Sequence, residues 1–309
     1  MIIDTHVHIY GRGLAEAHQK FLASRFPTLG IDLDHQIDYL MNLMKKHNVD
    51  RILAHCNPNE AVAEMIKNHK DKIIPFASIE YKDSKKAVTD IEYCIKSLGF
   101  KGIAEQAVPS KHYFIDDFDL LDPVYKKASD LGIPVTWHLQ ESFLFGASRS
   151  KFSGVSRVQE VCFKYPQLKI LICHLGGLDN YRNTLSGLSG YKNVYFDTSG
   201  VVNSMYRRFL TPVWGSNASS RTHDYTFPEH AKNGKPKDHS VIMESVKTES
   251  AKVLREAANA VPDRIMMATD GPFASNPELE IEVCKKALGH DSELLSHVLG
   301  ENARTFLNV

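Results

Sequence analysis

Short apolar runs and stretches with helical spacing take turns along the whole chain. The first run, "MIIDTHVHIY", is followed by "RILAHCN" from 51, "KIIPFASIE" from 72, "FKGIAEQA" from 100 and "IPVTWHLQ" from 133, then by "LKILICHLGG" from 168, "NVYFDTSG" from 193 and "RIMMATDGPF" from 264. These eight β-branched or apolar segments read as strands. Between them, "DHQIDYLMNLMKKHN", "NEAVAEMIKNHKD", "SKKAVTDIEYCIKSLG" and "LLDPVYKKASDLG" place apolar residues at helical intervals, and several close on Gly or Asn just before the next strand. Alternating strand and helix predicts a parallel sheet. Eight such units predict a (β/α)8 TIM-type barrel rather than a doubly wound sheet, and no Gly-x-Gly-x-x-Gly follows any strand to suggest dinucleotide binding. The chain reads as one domain, 1–309.

Two regions break the rhythm. Residues 10–34 hold an extra segment of helical character between the first strand and its helix. Residues 201–243 are rich in Ser, Asn, His, Arg and aromatics and carry no sustained period, which predicts a long insert after the seventh strand, on the catalytic face of the barrel, covering substrate. Within it "KNGKPKDH" reads as a mobile tip.

Composition narrows the class. Of 309 residues, 43% are apolar and 24% charged, ordinary for a folded soluble chain. Lys plus Arg and Asp plus Glu both number 37, which argues against a partner recognised through its phosphates. No apolar run approaches the roughly 18 residues of a membrane span, and a first strand without a basic-then-apolar leader predicts a cytoplasmic protein with no membrane partner. Cys56, Cys94, Cys162, Cys173 and Cys284 are odd in number and widely spaced, so they read as reduced core residues.

The chemistry begins on the first strand. Strict alternation sends Asp4, His6 and His8 to one face and Ile3, Val7 and Ile9 to the other. Same-face neighbours lie about 7 Å apart, close enough for two imidazoles to converge on one ion at about 2.0–2.1 Å each. His138 closes the fifth strand, His174 the sixth and Asp270 the eighth, all at the carboxyl ends where barrel enzymes hold their working groups. Parity agrees, since Val135, Trp137 and Leu139 oppose His138, and Ile265 and Met267 oppose Asp270. Together these side chains point to a metal site. Nitrogen-rich ligation with one carboxylate suits zinc best, with manganese or iron as alternatives.

Taken in order, "DTHVH", "GFKGI", "WH", "CHLGG", "FDTSG", "ATDGPF" and the closing "LGENARTFL" resemble the amidohydrolase superfamily, specifically the amidohydrolase-related branch that includes aminocarboxymuconate-semialdehyde decarboxylase and the resorcylate-type decarboxylases. The resemblance spans the chain apart from 201–243. It implies His6, His8, His138 and Asp270 as ligands of one divalent ion, with His174 as a nearby acid or base. It also implies that Phe273 lines the substrate pocket and that the protein forms a homodimer. Binuclear members carry a bridging lysine on the fourth strand where this chain has Ala104 and Glu105, so one ion is expected, and Glu105 reads as a solvated strand end.

A divalent ion with an open position lowers the pKa of bound water to about 7. Asp270 can then take a proton and His174 can steady or relay charge. This ligand set serves both removal of carbon dioxide from a small carboxylated aromatic or muconate-like substrate and hydrolysis of a lactone, ester or amide. The resemblance favours the first. A carboxylate calls for a guanidinium. Arg149 is the first candidate, with Arg182, Arg207 and Arg208 behind it, while Trp214 and Tyr225 could close over a ring. Two further readings are a TatD-type deoxyribonuclease, which also uses a strand-four glutamate, and a barrel that binds without turnover.

Overall fold

The computed structural model describes residues 1–13, 35–106, 113–139, 154–214, 238–271 and 275–309. Its strands are β1 (Ile3–Tyr10), β2 (Arg51–Asn57), β3 (Ile73–Ala77), β4 (Gly102–Gln106), β5 (Val135–Trp137), β6 (Ile170–Ile172), β7 (Val194–Asp197) and β8 (Ile265–Met266). They form a single parallel eight-stranded sheet in chain order. The ring is nearly closed where β1 meets the segment after β8: Thr5 donates to the Met267 carbonyl at 3.1 Å, His8 donates to Gly271 at 2.8 Å, and Val7 bridges Gly271. All eight strands lie where the apolar runs predict them, and the architecture is a TIM barrel.

Helices α1 (Gln36–His47), α2 (Asn59–Met65), α3 (Ser84–Tyr93), α4 (Phe118–Asp130), α5 (Val155–Lys164), α6 (Tyr181–Leu188), α7 (Val201–Trp214), α8 (His239–Ala260) and α9 (Pro277–Leu288) pack outside the ring. Two short helices, α10 (Ser292–Ser296) and α11 (Asn302–Leu307), close the chain. Their starts obey local chemistry, with the side chains of Asp83, Asp117, Asn276 and Asp291 each accepting from a free amide of the first turn. Among the described residues no helix is long and apolar enough to cross a membrane.

Alternation along the strands creates two cores. Outward residues such as Ile9, Ile52, Ile103, Val135, Trp137, Ile170 and Ile172 pack against the helices. Inward residues Ile3, Leu53, Ile74, Phe76, Ala104, Leu171, Tyr195 and Met266 fill the barrel, and α11 plugs its lower end with Phe306, whose ring lies 4.9 Å from that of Tyr195. The lower barrel is thus packed solid, which leaves the carboxyl ends of the strands as the place for chemistry.

Alternation fails at two bulges. Between Asp4 and Val7, β1 carries an extra residue relative to β2, so Ile3 faces inward with the barrel core while Val7 faces the helices. His6 and His8 keep their inward direction, but Asp4 does not share their face as strict alternation predicts. It accepts from the amide of Thr269 at 3.0 Å and from its hydroxyl at 2.7 Å, tying β1 to the segment after β8. A second extra residue separates Ile103 from Gln106 on β4.

The 201–243 region also differs from its expected form at both ends. Residues 201–214 are helical because Val201, Val202, Met205, Tyr206 and Leu210 make a buried stripe at helical spacing, a period obscured in the sequence by the polar positions between them and by Pro212. Residues 239–243 begin α8. Residues 215–237, with Tyr225 and nearly all of the "KNGKPKDH" stretch, lie outside the described residues, as do residues 14–34.

Candidate metal centre

The upper mouth of the barrel is lined by imidazoles and carboxylates on or just past seven of the eight strands. On β1 the Nε2 atoms of His6 and His8 face each other at 3.2 Å. Two ring nitrogens come that close only with a proton or a cation between them. Asp270, just past β8, reaches them with Oδ1, 3.0 Å from His8 Nε2 and 3.7 Å from His6 Nε2. It does so from a left-handed backbone, φ 55°, which Asp and Asn adopt more readily than other side-chain-bearing residues.

Glu105 completes this corner. The bulge on β4 turns it inward, where its side chain is only 12% exposed, so it is not a solvated strand end. Its Oε2 lies 3.0 Å from His6 Nε2 and 3.5 Å from His8 Nε2. Five separations among His6 Nε2, His8 Nε2, Asp270 Oδ1 and Glu105 Oε2 thus run from 3.0 to 3.7 Å. Two donors on one ion with bonds of about 2.0–2.1 Å in tetrahedral geometry stand about 3.3–3.4 Å apart, so His6 and His8 have metal-ligand spacing both with Asp270 and with Glu105.

His138, at the end of β5, stands on the other side of Glu105, with Nε2 3.5 Å from Oε1. Its ring meets that of His174 edge-on, with centroids 4.7 Å apart. Donor atoms of Glu105, His138 and His174 lie within 4.8 Å of one another, as do those of His6, His8 and Asp270. The structure therefore gathers all five predicted metal-side residues at one mouth, but it groups His138 with Glu105 and His174.

His174 is held by a tight turn after β6 in which both His174 (φ 57°) and Leu175 (φ 56°) are left-handed. Such backbone persists only where surroundings impose it. Here the amide of His174 donates to Asp197 Oδ1 at 2.8 Å, and its Nδ1 lies 3.1 Å from the Ser199 carbonyl and 2.8 Å from the Ser199 hydroxyl. A carbonyl only accepts, so Nδ1 carries the proton and Nε2 keeps its lone pair for the site. Gly200 makes room: it sits at φ 74°, and a Cβ there would lie 3.0 Å from His174 Nδ1. Asp197 also holds His6, with Oδ2 3.0 Å from Nδ1, which fixes the tautomer that presents Nε2 inward.

The electrostatics favour positive charge at this mouth. Burial alone would raise the carboxyl of Glu105, but His138 and then His6 hold it well below the usual range. Asp270 is likewise lowered against the effect of burial, by its hydrogen bond to His8 and by His6 beyond it, and Asp197 by His6. Burial pushes His138 down to about 4, with Glu105 opposing it. Burial opposes charge on His6 too, yet Cys173 and Asp197 beside it push it well above the usual range. His6 thus offsets the charge that all three carboxylates keep against burial.

Four contributors escaped the sequence reading. Asp197 and Ser199 lie in "FDTSG", where inward parity with Tyr195 marks Asp197. His55 shares the inward face of β2 with Leu53; it is buried, and its Nδ1 accepts from the Glu105 amide at 2.7 Å. Cys173 lies within the barrel mouth beside His6 and Glu105 rather than in the general core, and burial pushes its thiol up against the pull of His6. Phe273 and Arg149 lie outside the described residues. Arg182 is engaged in a two-pronged pair with Glu256 on the surface, and Arg208 pairs with Asp179.

Comparison with known proteins places this arrangement. The amidohydrolase family model matches residues 3–309, nearly the full chain. The chain belongs to the amidohydrolase family. Solved barrels resemble this amidohydrolase over their full lengths at low identity. An uncharacterised TIM-barrel protein from Bordetella bronchiseptica superposes with a TM-score of 0.66 at 17% identity, covering 99% of this chain and 98% of that one. A dihydroxybenzoic acid decarboxylase from Polaromonas, solved with manganese and the inhibitor 2-nitroresorcinol, gives 0.64 at 16%, covering 99% and 96%. A probable 2-pyrone-4,6-dicarboxylic acid hydrolase from Acinetobacter baumannii, with citric acid bound, gives 0.61 at 14%, covering 100% and 99%. The family match makes this chain an enzyme of the amidohydrolase superfamily and leaves the deoxyribonuclease and non-catalytic readings without support.

Proposed function

We propose that this amidohydrolase is a metal-dependent carboxy-lyase that removes carbon dioxide from a small carboxylated aromatic or muconate-like substrate. The observation that carries the metal-dependent part is the close approach of His6 Nε2 and His8 Nε2 to each other, to Asp270 Oδ1 and to Glu105 Oε2 at the barrel mouth. The choice of reaction draws on the likeness to a decarboxylase solved with a resorcinol inhibitor and manganese. His6, His8, Asp270 and Glu105 would hold the ion, with His138 beside Glu105; zinc suits the donors, and manganese serves the same set. Such an ion anchors a carboxylate and stabilises negative charge that develops on the substrate.

The chain's own residues do the rest. Asp270, ionised and partly open to the mouth, takes and returns a proton at its carboxylate, while His174 presents Nε2 as a second base. Asp270 takes that proton from solvent at the mouth and passes it to the ring carbon as the bond from that carbon to the carboxylate breaks and carbon dioxide leaves. The solid lower barrel confines the substrate to the mouth. Phe273 would line the ring and Arg149 would meet a second carboxylate or a hydroxyl. A small-molecule acid is thus the partner, with neither nucleic acid nor membrane involved, and a homodimer is the expected assembly.

A second reading, hydrolysis of a lactone, is favoured by the likeness to the pyrone dicarboxylic acid hydrolase. Both of these neighbours are named for acids on small rings, which supports a small carboxylated ring as substrate under either reading. The test is a panel of carboxylated phenols and muconate semialdehydes set beside lactones, scored for carbon dioxide release and for ring opening. Carbon dioxide from at least one acid, abolished by chelation, supports the proposal. Silence across the acids with turnover of a lactone establishes the second reading instead.

A further inference from the structure

Glu105 is held through its backbone by a strand that is not its neighbour. On β2, Ile52, Ala54 and Cys56 face the helices, while Leu53 and His55 face into the barrel. From there the His55 ring reaches past β3 to β4, where its Nδ1 accepts from the Glu105 amide at 2.7 Å. The register explains why that amide is available. β3 pairs with β4 only as far as Ile103, and on the β5 side the pairing jumps from Ile103/Val135 to Gln106/Trp137, so β4 carries an extra residue between these points. A regular ladder would set Glu105 against Trp137; the bulge sets Gln106 there and leaves the Glu105 amide to a side chain.

We infer that His55 is a positioning residue for the proposed reaction: by capping the β4 bulge through Nδ1, it fixes the Glu105 carboxylate against His6 and His8. The inference rests on the metal-dependent reading above and adds a residue that acts on the site only through Glu105.

Three features support it. A backbone amide only donates, so His55 Nδ1 holds a lone pair and the ring proton sits on Nε2. That second nitrogen is buried, and no described group pairs with it. An unpaired buried donor costs stability, so packing alone does not account for an imidazole here, whereas the need of the Glu105 amide for an acceptor does. The ring is also locked in place. Its centroid lies 4.4 Å from that of His6 and 5.4 Å from that of His8, and Phe76, its register partner on β3, meets it edge-on at 6.2 Å. Gly102 lets Phe76 take that position, since a Cβ at 102 would lie 2.6 Å from the Phe76 ring. Finally, the carboxylate so held is the one whose Oε2 stands 3.0 Å from His6 Nε2 and 3.5 Å from His8 Nε2, where a small turn of the bulge would carry it out of reach.

Metal-free wild-type protein labelled with 15N-histidine is examined by NMR, and Mn2+ affinity is measured by isothermal titration in wild type, His55→Leu, His55→Asn, Glu105→Gln and the double variant His55→Leu with Glu105→Gln. The expected spectrum places the His55 proton on Nε2; a proton on Nδ1 overturns the inference whatever the variants do. The expected affinities are a 10–100-fold loss in His55→Leu and recovery of most of it in His55→Asn, whose Oδ1 stands where Nδ1 stood. Adding His55→Leu to Glu105→Gln should cost no more than about a further twofold. His55→Leu binding as tightly as wild type overturns the inference, as does His55→Asn binding no better than His55→Leu. So does an equally large loss in the Glu105→Gln background, which would show His55 acting on the mouth without Glu105. Each of these leaves wild-type binding intact, whereas wild-type protein that binds no Mn2+ overturns the metal-dependent reading and this inference together. Because the spectrum is read on wild type, misfolding of a variant does not remove the test.

Discussion

His6 Nδ1 lies 3.0 Å from Asp197 Oδ2, and both side chains are fully buried. That contact lets Asp197 govern the orientation of His6, a ligand in the proposed site. Asp197→Asn keeps the size of the side chain but can offer an NH2 group where His6 needs an acceptor. The expected outcome is a 10–100-fold weaker affinity for Zn2+ or Mn2+, read by isothermal titration, with little change in thermal unfolding. An affinity within about twofold of wild type would show that the contact is incidental.

Gly200→Ala tests the seat of His174. The new Cβ would lie 3.0 Å from His174 Nδ1, at a backbone φ of 74° that alanine adopts with strain. The variant should lose about 1–3 kcal/mol of stability in denaturant titration, and its turnover should fall further than that loss explains. Turnover equal to wild type in the folded fraction would remove His174 from the working group.

Glu280, on α9, carries a different prediction. Burial pushes its carboxyl well above the usual range, the Ser275 hydroxyl works against this, and Asp4 and Asp197 add to the rise. The fold therefore favours the protonated form. Its contribution is full below about pH 4.5, the ordinary glutamate value, and is lost as pH rises through the raised one. Glu280→Gln should match wild type near pH 5 and melt at a higher temperature at pH 8. A lower melting temperature than wild type at pH 8 would contradict this.

Asp270→Asn separates holding from chemistry. Asparagine tolerates the left-handed backbone at this position, so the variant should fold with an unchanged melting profile. It keeps an oxygen for the ion but loses the base, so turnover should drop by about 10²–10⁴-fold with metal still bound. Turnover near wild type would assign the proton to another residue.

Much of this was legible in the sequence, and the failures have physical causes. Apolar runs marked all eight strands because a parallel strand buried on both faces must be apolar throughout. The meeting of His6, His8, His138, His174 and Asp270 at one mouth was legible because strands of this fold share one carboxyl end. Asp4 and Glu105 were misread for one reason. A bulge inserts one residue and reverses the facing of everything beyond it, and no local residue pattern announced the bulges at Asp4/Val7 or Ile103/Gln106. His55 and Asp197 act through other residues across the barrel, a relation that only the closed ring creates. The helix 201–214 hid because its buried stripe is broken up by Asn203, Ser204 and the arginine pair.

The central claim is the place of the ion, and anomalous diffraction tests it most directly. Crystals grown with Mn2+ or Zn2+, measured on both sides of the metal's absorption edge, should show a peak within about 2.0–2.3 Å of His6 Nε2, His8 Nε2 and an oxygen of Asp270, with Glu105 in contact. A map with no peak at that corner, in protein loaded to saturation, would contradict the account.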